Sequence, residues 1–182
     1  MQIRTYWYAA LCCVALPIAS QPAFAKSESN GERLGDLLQL AIPTTAYSMT
    51  LFNRDAEGRN QFYKSFATNL GVTYTLKYAI NKPRPDNNGD YSFPSGHTSA
   101  AFQGAAFIHK RYGLTKAIPA YLAATYVAYS RVKAKKHDVV DVTAGAAVGI
   151  LSSFYFTTRK GGVDIVPLVG KNFAGVSATY SW

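Results

Sequence analysis

The chain has 182 residues, with 19 Lys and Arg against 10 Asp and Glu, and a formal charge of +9. Apolar residues make up 48% and charged residues 16%, which excludes a disordered charged tail and a coiled coil and leaves one domain with a core of its own. A mean hydropathy of −0.04 separates it from chains built of Leu-, Ile- and Val-rich spans, so any segment that enters a bilayer is a weak one.

Residues 1–25 read as an export leader. Arg4 precedes an apolar stretch over 9–18, and Ala23-Phe24-Ala25 is a small-x-small cleavage site ahead of polar Lys26-Ser27-Glu28. An uncleaved anchor is the alternative, but Pro17, Pro22 and the Ala-x-Ala site suit cleavage better. Both cysteines, Cys12 and Cys13, fall in the leader, so the remainder carries no disulfide framework, thiol nucleophile or Cys-ligated metal. Losing the leader costs only Arg4, so the chain stays strongly basic. That charge suits nucleic acid, an anionic membrane surface or a small anionic substrate. Export, and the lack of an aromatic-interleaved basic stripe, set nucleic acid aside.

The rest is mostly helical. A segment opens at residues 28–34 and runs to about 52, with Leu34, Leu37, Leu38, Ala41 and Ile42 at helical spacing and Pro43 expected to kink or divide it. Residues 53–58 are a polar turn, and a second helix is predicted over 61–80. The Pro-, Asn- and Gly-rich stretch 81–94 must be a loop. Helices follow over 95–112, 115–130 and 137–158. Residues 163–182, with β-branched and aromatic residues around Pro167 and Gly170, read as a short hairpin or an extended tail beyond a domain of 26–162. The stretches 117–130 and 142–158 are uncharged but rich in small residues, while Lys64 and Lys77 interrupt the second helix. Each falls at or below the roughly 20 apolar residues of a span. Lys110, Arg111, Lys116, Arg159 and Lys160 would nevertheless lie together on one side, opposite the 81–94 loop, so membrane embedding stays open.

Three polar clusters carry the chemistry. Lys77, at the end of an apolar helix, and Arg84, in the Pro-locked loop after it, offer a phosphate a point charge and a planar fork. A solvated helix end and a Pro-rich turn would look the same. Pro94-Ser95-Gly96-His97 precedes an apolar helix. Ser95 can cap it, the free amides of Gly96 and its neighbours can face an anion, and His97 can reach the bound group as an acid. Alone, it is an ordinary turn and cap. Finally, His137 and Asp141 are four apart at a helix start, with Arg131 just before them. The carboxylate would fix the imidazole tautomer and free the other nitrogen as nucleophile or base. The bland alternative is a pair on a solvated helix, as Lys133, Lys135 and Lys136 suggest. His109, beside Lys110 and Arg111 at a helix end, suits a charge–dipole role better than catalysis.

Taken together, one Lys, two Arg, two His and one Asp describe a site for a phosphoryl group. The ordered series Lys-x6-Arg-Pro, Pro-Ser-Gly-His and Ser-Arg-x5-His-x3-Asp, at residues 77–85, 94–97 and 130–141, resembles the signature of the type 2 phosphatidic acid phosphatase (PAP2) superfamily. That superfamily includes class A acid phosphatases and vanadium haloperoxidases. The resemblance implies an all-α bundle with the site at one end. It casts His137 as nucleophile, Asp141 as its orienting partner and His97 as acid, with Lys77, Arg84, Arg131, Ser95 and the Gly96 amide binding phosphoryl oxygens. It implies no metal and no cofactor. The expected activity is a phosphatase of monoesters or diphosphates, of lipid-linked type such as phosphatidate or isoprenyl diphosphate. A broad-specificity soluble acid phosphatase, a haloperoxidase and a non-catalytic anion-binding envelope protein are the alternatives.

Overall fold

The computed structural model describes residues 29–170 and 173–181; the leader read over 1–25 lies outside them. Five helices, α1 (Asn30–Phe52), α2 (Ala56–Ile80), α3 (Gly96–Tyr112), α4 (Leu114–Lys133) and α5 (Val139–Phe156), are followed by strands β1 (Gly162–Gly170) and β2 (Phe173–Ser181). The strands pair antiparallel from Gly162 opposite Ser181 to Gly170 opposite Phe173, so the tail is a hairpin. The fold is the all-helical bundle expected, with this hairpin appended.

Local chemistry sets the boundaries. Ser29, Asp55 and Ser95 cap α1, α2 and α3, and Asp138 and Asp141 form a reciprocal capping box on α5. Because Asp55 accepts the Gly58 amide at 2.9 Å, α2 starts inside the stretch read as a turn. Because Asp138 is the α5 cap, His137 stands before that helix rather than on it. Pro43 does not divide α1, which runs through it. Its buried side packs on Gly104 of α3, where an added Cβ would lie 2.8 Å from the Pro43 Cα, and this burial offsets the missing backbone hydrogen bond.

Small residues on α3 let its neighbours close around it. Ala101 and Ala105 pack with Ile42 of α1 and with Ala124 and Val127 of α4, while Phe107 and Ile108 join Ala46, Phe62 and Ala117 nearer the other end. On α2 the polarity is inverted. Gln61, Ser65, Asn69 and Thr73, one turn apart, face inward and are buried, whereas Tyr63, Leu70, Val72 and Tyr74 face outward and are exposed. The inward stripe is hydrogen-bonded across the bundle, Thr73 to Ser99 at 3.1 Å and Gln103 to Ser65 at 2.9 Å.

The chain alternates direction, so both ends of the bundle gather charge. At the end away from the predicted site, buried Arg111 donates to both oxygens of Asp55 (2.6 and 2.8 Å) and to the Thr158 carbonyl (3.0 Å), and Tyr112 donates to Asp55 at 2.9 Å. Burial alone would raise the Asp55 carboxyl, but Arg111, the Gly58 amide and Tyr112 outweigh it and bring it down to about 2. This cluster ties the starts and ends of α2, α3 and α5. His109 sits nearby with Nδ1 3.2 Å from the Tyr121 hydroxyl and its ring edge-on to Phe154. It lies in the last turn of α3, the helix-end position its sequence context suggested, with its ring packed between Tyr121 and Phe154.

Candidate active site

The other end holds the predicted cluster. α2 ends there, α3 and α5 begin there, and the first turns of α1 and the last of α4 complete the rim. His137 and Asp141 are 3% and 0% exposed, so they are not a pair on a solvated helix. His137 Nδ1 lies 3.5 Å from Asp141 Oδ2 and 3.4 Å from the Ser92 hydroxyl. Ser92 in turn donates to Asp141 Oδ2. With that proton committed, the Ser92 oxygen can only accept at Nδ1, as can the carboxylate. Both neighbours call for the Nδ1–H tautomer and leave the lone pair on Nε2. The Asp141 carboxylate is also held by Lys82, which donates to Oδ1 at 2.8 Å and bridges to Asp138, and by the Asp138 amide at 3.1 Å.

The other predicted residues converge on the same point. The Ser95 amide donates to the Asp141 carbonyl at 2.9 Å, joining the start of α3 to that of α5. The Ser95 side chain accepts from the Thr98 amide (3.4 Å) and hydroxyl (3.0 Å), so its own proton is what it can offer an anion. Lys77 reaches over Gly96, where an added Cβ would stand 3.7 Å from its Cε, and donates to the Tyr91 carbonyl at 2.7 Å. Arg131, 3% exposed, donates to Asp36 at 2.8 Å and to the Glu32 carbonyl at 2.8 Å. The same Asp36 oxygen lies 3.0 Å from His97 Nε2. Of the three lysines read as solvated, Lys133 and Lys135 are exposed, and Lys136 pairs with Asp86 at 3.3 Å.

Charge binds the cluster into one unit. Burial, then the cations Lys77 and Arg84, push His137 down to about 4, against the pull of Asp141. Burial and then Arg84 likewise bring Lys77 down to about 8. His137 is therefore a neutral imidazole at neutral pH, in a pocket whose cations repel one another and whose complement is a compact polyanion. Among the described residues, no three His, Asp or Glu side chains stand close enough to hold a metal ion.

The chain is similar to known proteins over most of its length. The family model of the PAP2 superfamily matches residues 86–161, a stretch that contains the second and third clusters. The chain belongs to the PAP2 superfamily. It is a phosphoric-ester hydrolase of the PAP2 type. A lipid A 4'-phosphatase of Helicobacter pylori is 29% identical over 169 residues, which cover 83% of this chain and 85% of that protein. A lipid A 1-phosphatase of the same species is 30% identical over 133 residues, 68% of this chain and 66% of its own. The crystal structure of Aquifex aeolicus LpxE shares the fold, with a TM-score of 0.52 at 23% identity over 69% of this chain and 90% of that one.

Three residues of this PAP2 site escaped the sequence reading. Lys82 and Ser92 lie inside the loop already marked as special, and Ser92 is two residues before Pro94, so their neighbourhood was visible although their partners were not. Asp36, 95 positions from Arg131, left no local signal at all.

Proposed function

We propose that the chain removes a phosphate from a lipid of the lipid A type while embedded in a membrane, through a phosphohistidine formed on His137. The observation that carries this reading is the contrast between the two surfaces of the bundle. The stretches 37–52 of α1, 65–76 of α2, 117–130 of α4 and 142–156 of α5 hold no charged residue. They turn large apolar side chains outward, among them Leu40, Leu70, Leu122 and Leu151. Polar residues and the cationic pocket face inward. α5 is long and apolar enough to cross a membrane, with a mean hydropathy of 1.6 over 18 residues. The uncharged stretches of α1 and α5 reach roughly 22–24 Å at 1.5 Å per residue, most of a hydrocarbon core. Lys64, exposed just before the shorter stretch of α2, is placed to snorkel. The relatives' names supply the substrate class, since both are phosphatases of lipid A. If residues 1–25 direct export, the start of α1 and the site beside it face the exported side.

In this reading the phosphoryl group lies among Lys77, Arg84, Arg131, the Ser95 hydroxyl and the Gly96 amide. The His137 Nε2 lone pair forms the P–N bond as the P–O bond to the lipid breaks. His97 Nδ1 gives its proton to the departing oxygen, which takes the bonding electron pair. Water, deprotonated by the now neutral His97, then attacks the phosphohistidine and releases phosphate. Fixed cations and amides facing the equatorial oxygens supply most of the acceleration. The test is phosphate release from a detergent-dispersed lipid phosphate and from a water-soluble ester, by wild type and His137→Ala. The lipid should be preferred, and the variant should lose at least about 10³-fold on both. Equal turnover of the two esters would refute the lipid assignment, and a variant that keeps its activity would refute the phosphohistidine.

A further inference from the structure

The site holds two histidines, and each has a carboxylate at one ring nitrogen. Asp141 stands at Nδ1 of His137; at His97 the corresponding group is Asp36, whose Oδ1 lies 3.0 Å from Nε2. We propose that Asp36, in the second turn of α1, is the positioning residue of the acid histidine: it holds the proton on His97 Nε2, aims Nδ1 at the leaving oxygen and stabilises the imidazolium that donates there. This rests on the reading of His97 as the proton donor.

Geometry carries the assignment. A carboxylate can only accept, so the contact at Nε2 requires a proton on that nitrogen and leaves Nδ1 as the atom that can face a bound phosphoryl ester. The same oxygen accepts from Arg131 Nη1 at 2.8 Å, and Arg131 is fixed further by the Glu32 carbonyl. α1 therefore orients the acid and one phosphate-binding fork through a single atom. Without a carboxylate, His97 would be a poor acid. Burial, Arg131 from α4 and Arg84 from the 81–95 loop all disfavour its charged form, and Asp36 is the group that opposes them. His137 also faces it across the pocket. Gly35, the neighbour of Asp36, is packed so closely on α4 that an added Cβ would stand 2.9 Å from Arg131 Nη2, which keeps this turn of α1 against the site.

The test compares wild type, Asp36→Asn and Asp36→Glu on an aryl phosphate, whose leaving oxygen needs little protonation, and on an alkyl phosphate, whose leaving oxygen needs it. The asparagine keeps the size but not the charge. It should lower kcat on the alkyl ester by about 10–100-fold and on the aryl ester by less than about 3-fold. The descending, high-pH limb of the alkyl profile should move to lower pH, because the imidazolium has lost its partner. Asp36→Glu should recover part of the alkyl activity. Retained aryl turnover serves as the control for folding. Equal loss on both esters, with an unmoved pH limb, would overturn the proposal. So would a fall in KM at constant kcat, which would mean that Asp36 only competes with substrate for Arg131. Activity surviving in His137→Ala would instead count against the phosphohistidine reading and would not bear on Asp36.

Discussion

Glycine in a helix interior normally costs stability, so replacing one with alanine should help unless the methyl meets something. The bundle contains both cases. Gly71, on the outward face of α2, has open space where a Cβ would go, whereas a Cβ on Gly149 of α5 would fall on the Ser99 carbonyl oxygen and 2.7 Å from the Gln103 nitrogen of α3. Both are backbone atoms in a helix, which cannot swing aside as a side chain can. Cβ contacts below 3.0 Å are essentially never seen, so α3 and α5 must separate. Overpacking of this kind costs about 1–3 kcal/mol, set against a gain of up to about 1 kcal/mol in helix propensity. Gly149→Ala should therefore lower the melting temperature by about 2–6 °C, and Gly71→Ala should raise it by about 1–3 °C.

Activity should separate the two further. α3 carries His97 and α5 carries Asp141, so wedging the helices apart displaces one imidazole from the His137–Asp141 pair. A misplacement near 1 Å costs on the order of 10²-fold in rate. Gly149→Ala should lose activity far below its melting temperature, while Gly71→Ala keeps it. Thermal melts in detergent and turnover at 25 °C would show both effects. Should Gly149→Ala melt at or above wild type with full turnover, the close packing of α3 on α5 described here is wrong.

Asp55→Asn leaves Arg111 buried without its carboxylate, at a cost of about 3–5 kcal/mol. The melting temperature should fall by at least about 6 °C with kcat unchanged at low temperature, since this cluster is at the far end of the bundle; a change in kcat would refute that separation. His137, held near 4 in the fold against about 6.5 when unfolded, lets the unfolded chain take up a proton first on acidification. Stability should therefore fall between pH 7 and pH 5, by about 2 kcal/mol from this group. His137→Gln should remove that much of the pH dependence, and a variant with the same slope as wild type would be the contrary result. Sulfate, a dianion that does not titrate near neutrality, should bind with net proton uptake of up to about one per site near pH 6, because it favours the charged imidazoles. Calorimetry in two buffers of different ionisation enthalpy reads this directly, and proton release would contradict it.

The sequence disclosed those parts of the site whose geometry is local. Lys77 with Arg84, Ser95 with His97 and His137 with Asp141 each lie at or just beyond one helix terminus, where spacing alone keeps side chains close. Asp36 could not be found this way, because its contact with His97 depends on how α1 leans on α3 and α4, and that angle is set by packing at Gly35 and at Pro43 against Gly104. Pro43 misled for the same reason: its local cost is plain from sequence, while the burial that offsets it is a tertiary fact. The mean hydropathy near zero hides another tertiary fact. It averages the exposed apolar residues of α2 with Gln61, Ser65, Asn69 and Thr73 on its inner face, and only the direction each residue faces separates the two.

The inverted polarity of α2 and the charged cluster support one another. Burial first, and then the neighbouring cations, depress Lys77 and His137, so the fold holds these groups where their charged forms are disfavoured. The carboxylates relieve the strain without filling the pocket. Asp141 and Asp36 stand behind the histidines, each spending its oxygens on groups that must be oriented, and Lys82 and Ser92 hold Asp141 in turn. The space in front keeps its positive potential, so an incoming phosphate relieves repulsion as it binds. The spread of charge over its equatorial oxygens in the transition state relieves more. A polar seam from α2 to α3, Thr73 to Ser99 and Ser65 to Gln103, adds directional hydrogen bonds to the apolar contacts that α3 makes with α1 and α4.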